Sequence, residues 1–273
     1  MTDRYAVIGN PISHTKSPLI HGMFAKATAQ DLEYTAIEGP LEGFADAVRA
    51  FRDAGGRGMN ITAPFKLQAF ELADELTERA RLAGAVNAFK FEAGRIHADN
   101  FDGIGLVNDI QRNLGAPLRG KRVLLLGAGG AVRGALLPFL EQEPAELVIA
   151  NRTPEKAEQL VAEVGARGAV RGGGFADIGN GRFDIVVNAT SASLKGELPA
   201  LSPSVFAPDG LAYELLYGKG LTPFLRLAQN AGMKRLADGV GMLVEQAAEA
   251  FEWWRGVRPD TRAVIAKLTV PLV

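Results

Sequence analysis

Short apolar runs alternate with amphipathic stretches along the chain, which is the pattern of α/β architecture. Residues 5–8 read as a strand, stopped by Gly9-Asn10-Pro11. A helix is predicted next, with Ser17 as its N-cap and Pro18 at the first helical position, where the fixed φ of proline suits a helix start. Strands are predicted over 33–37, 58–61 and 86–91, and helices near 42–53 and 68–82.

The centre of the chain has a different character. Lys121-Arg122 leads into Val123-Leu124-Leu125-Leu126, an unbroken apolar run of the kind buried on both faces in a parallel sheet. Gly127-Ala128-Gly129-Gly130 follows, and then a helix to residue 141. A strand over 147–150, a helix over 154–164 and strands over 184–188 and 211–215 continue a βαβαβ order, the material of a doubly wound nucleotide-binding domain. Helices near 240–255 and 260–268 come last. The pattern predicts an N-terminal α/β domain of residues 1–103 that takes back the helices of 240–273. A doubly wound parallel-sheet (Rossmann) domain would occupy 104–239.

A length of 273 residues agrees with one or two domains. Thirty Lys and Arg balance 31 Asp and Glu, so no strong field exists to draw in nucleic acid or a membrane surface. The absence of cysteine excludes disulfides, thiolate nucleophiles and Cys-based metal centres, and three histidines make a His-rich metal site unexpected. No apolar leader opens the sequence, and no apolar run reaches the roughly 18 residues of a membrane span. The expectation is a cytoplasmic protein without metal, nucleic-acid or membrane partners, working on a small molecule as a monomer or homodimer.

The glycine-rich turn sits where a dinucleotide pyrophosphate would bind. Gly127 permits the tight turn, Gly129 lets backbone approach phosphate, and the helix behind them offers free N–H groups and a positive dipole end. Val132 stands at the third position of the G-x-G-x-x-G pattern, so Ala131 and Gly134 are expected to supply the close packing instead. Asn151-Arg152-Thr153 ends the second strand, near the spacing of about 20 residues at which the ribose-reading side chain is found. An NAD site usually has a carboxylate there. Arg152, followed by Lys156, would instead hold a 2′-phosphate through charge-assisted bonds, so NADP is the expected cofactor.

Four polar turns precede this motif: residues 9–18, 60–66, 85–87 and 99–103. Each alone is more often a capped loop. Together, ahead of a dinucleotide site, they predict a substrate pocket facing the cofactor. Taken in order, GNPISHTKSP at 9–18, NITAPFK at 60–66, AGAVN at 83–87, DNFDG at 99–103, GAGGA at 127–131, NRT at 151–153, NATS at 188–191, YGKGLTP at 217–223 and DGVGMLVEQAA at 238–248 carry a resemblance. Over essentially its whole length the chain resembles the shikimate/quinate dehydrogenases.

The resemblance implies reversible NADP-dependent interconversion of shikimate and 3-dehydroshikimate, with Lys66 and Asp102 as the acid–base pair. Hydride leaving carbon requires the hydroxyl proton to leave as well, and a positioned base takes it. Thr15 and Ser17 would bind the substrate carboxylate, and Thr62, Asn87 and Gln246 would read ring hydroxyls, with Tyr217 lining the cleft. The cofactor would contact Gly127, Ala128, Gly129, Gly130 and Ala131, then Asn151, Arg152, Thr153 and Lys156. Ala189, Thr190, Ser191, Gly239 and Met242 would flank its ribose and nicotinamide. His14 and His21 are expected to cap or pack.

The chain departs from the family's pattern at several positions. Thr15 replaces a serine, Ala63 a valine, Ala88 the threonine of AVNT, and Glu214 the usual aspartate. Phe101 replaces the threonine of DNTDG beside Asp102, which predicts a large ring near the substrate and weakened or altered substrate use. The alternative function is a quinate/shikimate dehydrogenase with NAD or dual cofactor use, or a related dehydrogenase redirected by Phe101. A binding protein without catalysis would have no need of the Lys66–Asp102 pair.

Overall fold

The computed structural model describes residues 2–165, 167–179 and 181–273. It has two α/β domains built on two six-stranded sheets. The first sheet contains β1 (Asp3–Gly9), β2 (Leu32–Glu38), β3 (Gly56–Ile61), β4 (Glu75–Leu76), β5 (Ala88–Glu92) and β6 (Arg95–Asp99), in the order β2-β1-β3-β5-β6-β4. It is mixed: β5 runs antiparallel to both β3 and β6. Helices α1 (Ser17–Ala27), α2 (Phe44–Asp53), α3 (Lys66–Leu72), α4 (Glu78–Ala83) and α5 (Asp102–Asn108) accompany it, and a π-helical turn, Asp109–Asn113, extends α5.

The second sheet contains β7 (Arg122–Leu126), β8 (Glu146–Ala150), β9 (Val170–Gly173), β10 (Phe183–Asn188), β11 (Phe206–Glu214) and β12 (Arg235–Asp238). All its pairings are parallel, in the order β12-β11-β10-β7-β8-β9. This is the doubly wound arrangement, with its reversal point between β7 and β10. Its helices are α6 (Gly130–Leu140), α7 (Pro154–Val164) and α8 (Pro223–Asn230). Parallel strands buried on both faces need apolar residues throughout, and Val123 to Leu126 are all at most 1 % exposed. Long α9 (Val240–Arg255) and α10 (Arg262–Leu268) return to the first sheet, where Val244, Ala247, Phe251 and Val264 pack on Ile20 and Phe24 of α1.

Local chemistry sets the element ends. Thr77 caps α4 by accepting from Ala80 N–H, and Gly84 closes it in the left-handed conformation. Thr222 caps α8 in the same way, ahead of Pro223. Two expectations are corrected. Ser17 is the first residue of α1, not its cap: Lys16 occupies the cap position and makes no side-chain cap bond. The helix predicted over 68–82 is two short helices with β4 between them. Ala73 adopts extended backbone there, and the chain pairs with His97 and Ala98 of β6 before turning again.

The two domains meet through α5. A Cβ on Gly103 would lie 2.1 Å from the Gly134 carbonyl of α6, and one on Gly105 would lie 2.7 Å from the Gln246 backbone of α9. Only residues without side chains allow α5 to fit between these helices. The expectation that Gly134 supplies close packing is corrected: it takes part through its backbone carbonyl, and a Cβ on it would meet Asn100 and Ala83 only at 3.6 and 3.8 Å, so Gly103 is the glycine the contact requires.

Candidate active site

Sheet register explains why polar turns distant in sequence come together. In the first sheet Ile8 pairs with Ile61, Asn60 with Ala88, and Ala88 with Asp99. The ends of β1, β3 and β6 and the start of β5 thus lie along one edge, and this edge carries Asn10, Thr62, Asn87 and Asp102. In the second sheet Leu126 pairs with Ala150 and Asn188, Asn188 with Glu214, and Glu214 with Asp238. Its carboxyl edge carries Gly127, Asn151, Ala189, Leu215 and Gly239. A cleft of about 360 Å³ lies between the sheets. It is lined by residues that include Thr15, Ser17, Thr62, Lys66, Asn87 and Asp102 from the first sheet's edge, Tyr217 and Gly239 from the second sheet's edge, and Met242 and Gln246 from α9.

Lys66 Nζ donates to Asp102 Oδ2 at 2.6 Å, with side chains 34 % and 19 % exposed. Asn87 Nδ2 donates to Asp102 Oδ1 at 2.8 Å and to Gln246 Oε1 at 3.3 Å, while its Oδ1 accepts from Phe101 N–H at 2.9 Å. Asn100 fixes the turn by donating to the Ala85 carbonyl and accepting from Asp102 N–H. Both carboxylate oxygens of Asp102 are therefore engaged from opposite sides. A lysine ammonium held at one edge of the cleft, with its counterion locked behind it, can give a proton to a carbonyl oxygen or take one back.

Behind the Thr15–Ser17 turn, Tyr34 donates to Asn60 Oδ1 at 2.7 Å, and Asn60 Nδ2 donates to the Asn87 carbonyl. The ring of His21 stacks on Tyr34 with centroids 4.1 Å apart and lies near Phe251 and Trp254. Burial in this aromatic cage lowers the His21 pKa to about 3. His21 thus packs, whereas His14 lines the cleft. Asn10, Asn60, Leu215 and Leu243 also line it and were missed by sequence reasoning, although Asn10 and Asn60 stand in the polar turns that end β1 and β3.

Phe101 is the correction of most consequence. Its ring is 2 % exposed and faces away from the cleft, packing with Ala88 and Ala250 and edge-on to Trp253 at 5.6 Å, with the Arg79 guanidinium over its face. Only its backbone N–H serves the cleft, through Asn87. Ala88 and Phe101, both departures from the family pattern, share this cluster: a small residue stands beside the large ring.

On the nucleotide side Gly127 has φ +110°, and a Cβ there would press on the Ala189 carbonyl at 3.2 Å. The loops after β7 and β10 therefore touch at the reversal point, where doubly wound sheets bind ligands. Gly129 and Gly130 face open space, and α6 starts without any side-chain cap, leaving its first N–H groups free. Val132 is buried in the core. Asn151 folds back to donate to the Thr153 carbonyl. Arg152 and Lys156 are exposed and make no ion pair among the described residues. These groups fit a dinucleotide with a 2′-phosphate: backbone donors for the pyrophosphate and uncommitted cations at the ribose end. Glu214 is fully buried and accepts from Asn188, Ser193 and Thr222, tying the 188–193 and 217–223 loops together. Burial raises its pKa. Among the described residues no group of three His, Asp or Glu could hold a metal ion, and no helix is long and apolar enough to cross a membrane.

Residues 7–89 match the shikimate dehydrogenase substrate binding domain, 109–195 the shikimate/quinate 5-dehydrogenase family, and 239–269 the shikimate 5′-dehydrogenase C-terminal domain. The NADP(+) shikimate dehydrogenase of Nitrosospira multiformis is 57 % identical over 98 % of each chain. An Ael1 enzyme from Pseudomonas putida is 67 % identical, superposes over 100 % of both chains and has a TM-score of 0.96. Shikimate 5-dehydrogenase from Thermus thermophilus, in complex with NADP(H) and shikimate, is 31 % identical over 97 % of this chain and 98 % of its own, with a TM-score of 0.85.

Proposed function

The chain belongs to the shikimate dehydrogenase family, and on that premise we propose that it interconverts shikimate and 3-dehydroshikimate with NADP, using Lys66 and Asp102 as the acid–base pair. The observation that carries this reading is the Lys66–Asp102 contact at 2.6 Å, held from behind by Asn87 in the cleft that also contains Thr15, Ser17, Thr62, Tyr217 and Gln246. NADP, when bound, accepts or supplies the hydride.

In the oxidative direction Lys66 takes the proton of the reacting hydroxyl as the carbonyl forms. In reduction it returns that proton to the oxygen. Asp102 orients Lys66 and accepts a ring hydroxyl. Thr15 and Ser17 donate to the substrate carboxylate, and Thr62, Asn87 and Gln246 read ring hydroxyls. Tyr217 and Met242 close the sides of the cleft. Gly127 to Ala131 hold the pyrophosphate, Asn151 to Thr153 with Lys156 hold the phosphorylated ribose, and Ala189 to Ser191 with Gly239 border the nicotinamide end. Residues 1–103 with 240–273 form the substrate domain and 104–239 the cofactor domain. The enzyme is cytoplasmic and serves a biosynthetic pathway.

Initial rates with shikimate and with quinate, each with NADP+ and with NAD+, test the proposal. Turnover concentrated in the shikimate and NADP+ pair is expected. Quinate with NAD+ as the better pair would overturn both the substrate and the cofactor assignment.

A further inference from the structure

Helix α9 carries Gly239, Met242 and Gln246 into the cleft, yet its own sequence does not cap it. Its N-cap is Gly239, which has no side chain to offer the free N–H groups of the first turn. The partners come from elsewhere. Asp238 Oδ1 accepts from Val240 N–H at 3.2 Å, and the phenol oxygen of Tyr213, at the end of β11, accepts from Met242 N–H at 3.1 Å. The same phenol donates to Asp109 Oδ2 at 2.7 Å.

Asp109 belongs to the π-helical turn that continues α5 towards the nucleotide-side sheet, and it is 3 % exposed. Asn113 also donates to it, at 2.9 Å. A Cβ on Gly241 would lie 2.0 Å from the Asp109 carboxyl carbon, so the carboxyl rests directly against the first turn of α9. An acidic group at a helix N-terminus interacts favourably with the helix dipole. Three segments meet at this point: the second sheet through Tyr213, the connection between the domains through Asp109, and the returning helix through Gly241 and Met242. Tyr213 is itself fully buried, so no water can replace its hydroxyl as acceptor.

We propose that Tyr213 is a positioning residue for the reaction: held by Asp109, its phenol caps α9 from the cofactor-side sheet and so sets where Met242 and Gln246 stand in the cleft. The proposal rests on the reading that Gln246 binds substrate. It makes the cofactor-side sheet responsible for part of the substrate site, through one hydroxyl that touches neither ligand.

The test is a kinetic cycle on the full chain with Tyr213→Phe, Gln246→Ala and the double variant, with NADP+ affinity measured by calorimetry. Tyr213→Phe is expected to lower kcat/KM for shikimate about tenfold, the size of one lost buried hydrogen bond. The affinity for NADP+ should stay within about twofold of wild type, because the groups proposed to hold the phosphates are untouched. Gln246→Ala should have a smaller effect in the Tyr213→Phe background than in wild type, since Gln246 is already displaced there. A purely structural role would give additive effects. Wild-type kinetics for Tyr213→Phe, or additive effects in the double variant, would overturn the proposal. A silent Gln246→Ala would instead overturn the reading of the substrate site. If Tyr213→Phe does not fold, Gly241→Ala displaces the same cap from the helix side. It is expected to lower shikimate kcat/KM with NADP+ affinity retained, and unchanged kinetics there would count against the proposal.

Discussion

The two walls of the cleft are built on opposite principles. On the substrate side the proposed acid–base pair and its neighbours are already bonded to one another: Lys66 to Asp102, Asp102 to Asn87, Asn87 to Gln246 and to the Phe101 backbone. On the nucleotide side Gly129 and Gly130 face open space, and the cations Arg152 and Lys156 stand exposed. The difference follows from the tasks. Proton transfer needs groups held within a fraction of an ångström before the substrate arrives, because reorganisation during the reaction raises the barrier. Phosphate binding needs backbone donors and charges that a large anionic ligand can reach. A locked network should therefore fail in large steps when one member is removed, and an open cradle in small ones.

Removing Asp102 is the strongest way to break the locked side. Asp102→Ala releases Lys66 and Asn87 together, and kcat should fall by roughly 10²- to 10⁴-fold in steady-state assays. The scaffold behind the network brings its own pH signature. His21 has a folded pKa of about 3 against an ordinary 6.5, so it contributes stability that is complete above pH 6.5 and is lost as pH falls towards 3. At pH 5 the loss amounts to about 2 kcal/mol. Urea unfolding at pH 7 and pH 5 should show this decline in wild type and a shallower one in His21→Phe. On the open side Arg152→Ala should raise the KM for NADP+ about tenfold and leave that for NAD+ unchanged, the signature of one charge-assisted phosphate contact. The smallest effect is expected at Phe101. Phe101→Leu keeps the N–H that serves Asn87, so kcat/KM for shikimate should move by less than about threefold.

The sequence disclosed the ends of the strands better than what lies behind them. Apolar runs such as Val123 to Leu126 identify themselves, and the turns after β1, β3, β7 and β8 carry the polar and glycine residues that mark a site. Register then brings those turns together. What stayed hidden depended on contacts between distant residues. Nothing beside Phe101 in the chain shows that its ring points at Trp253 and not at the cleft. Its fit depends on Ala88 on a neighbouring strand and Ala250 on the returning helix. Val170–Gly173 and Arg235–Asp238 were not predicted as strands because each is short and glycine-rich or polar, and the neighbouring strand supplies its order. The Tyr213–Asp109 cap joins β11 to a π-helical turn, an element that no periodicity announces.

In the proposed mechanism Lys66 moves the proton while the cofactor site works independently of it. Single-turnover reduction of NADP+ by shikimate, measured for wild type and Lys66→Ala beside calorimetric NADP+ binding, tests this most directly. Hydride transfer slowed by at least about 10²-fold, with NADP+ affinity unchanged, is the predicted result. Hydride transfer at the wild-type rate in Lys66→Ala would rule out Lys66 as the proton-transfer group.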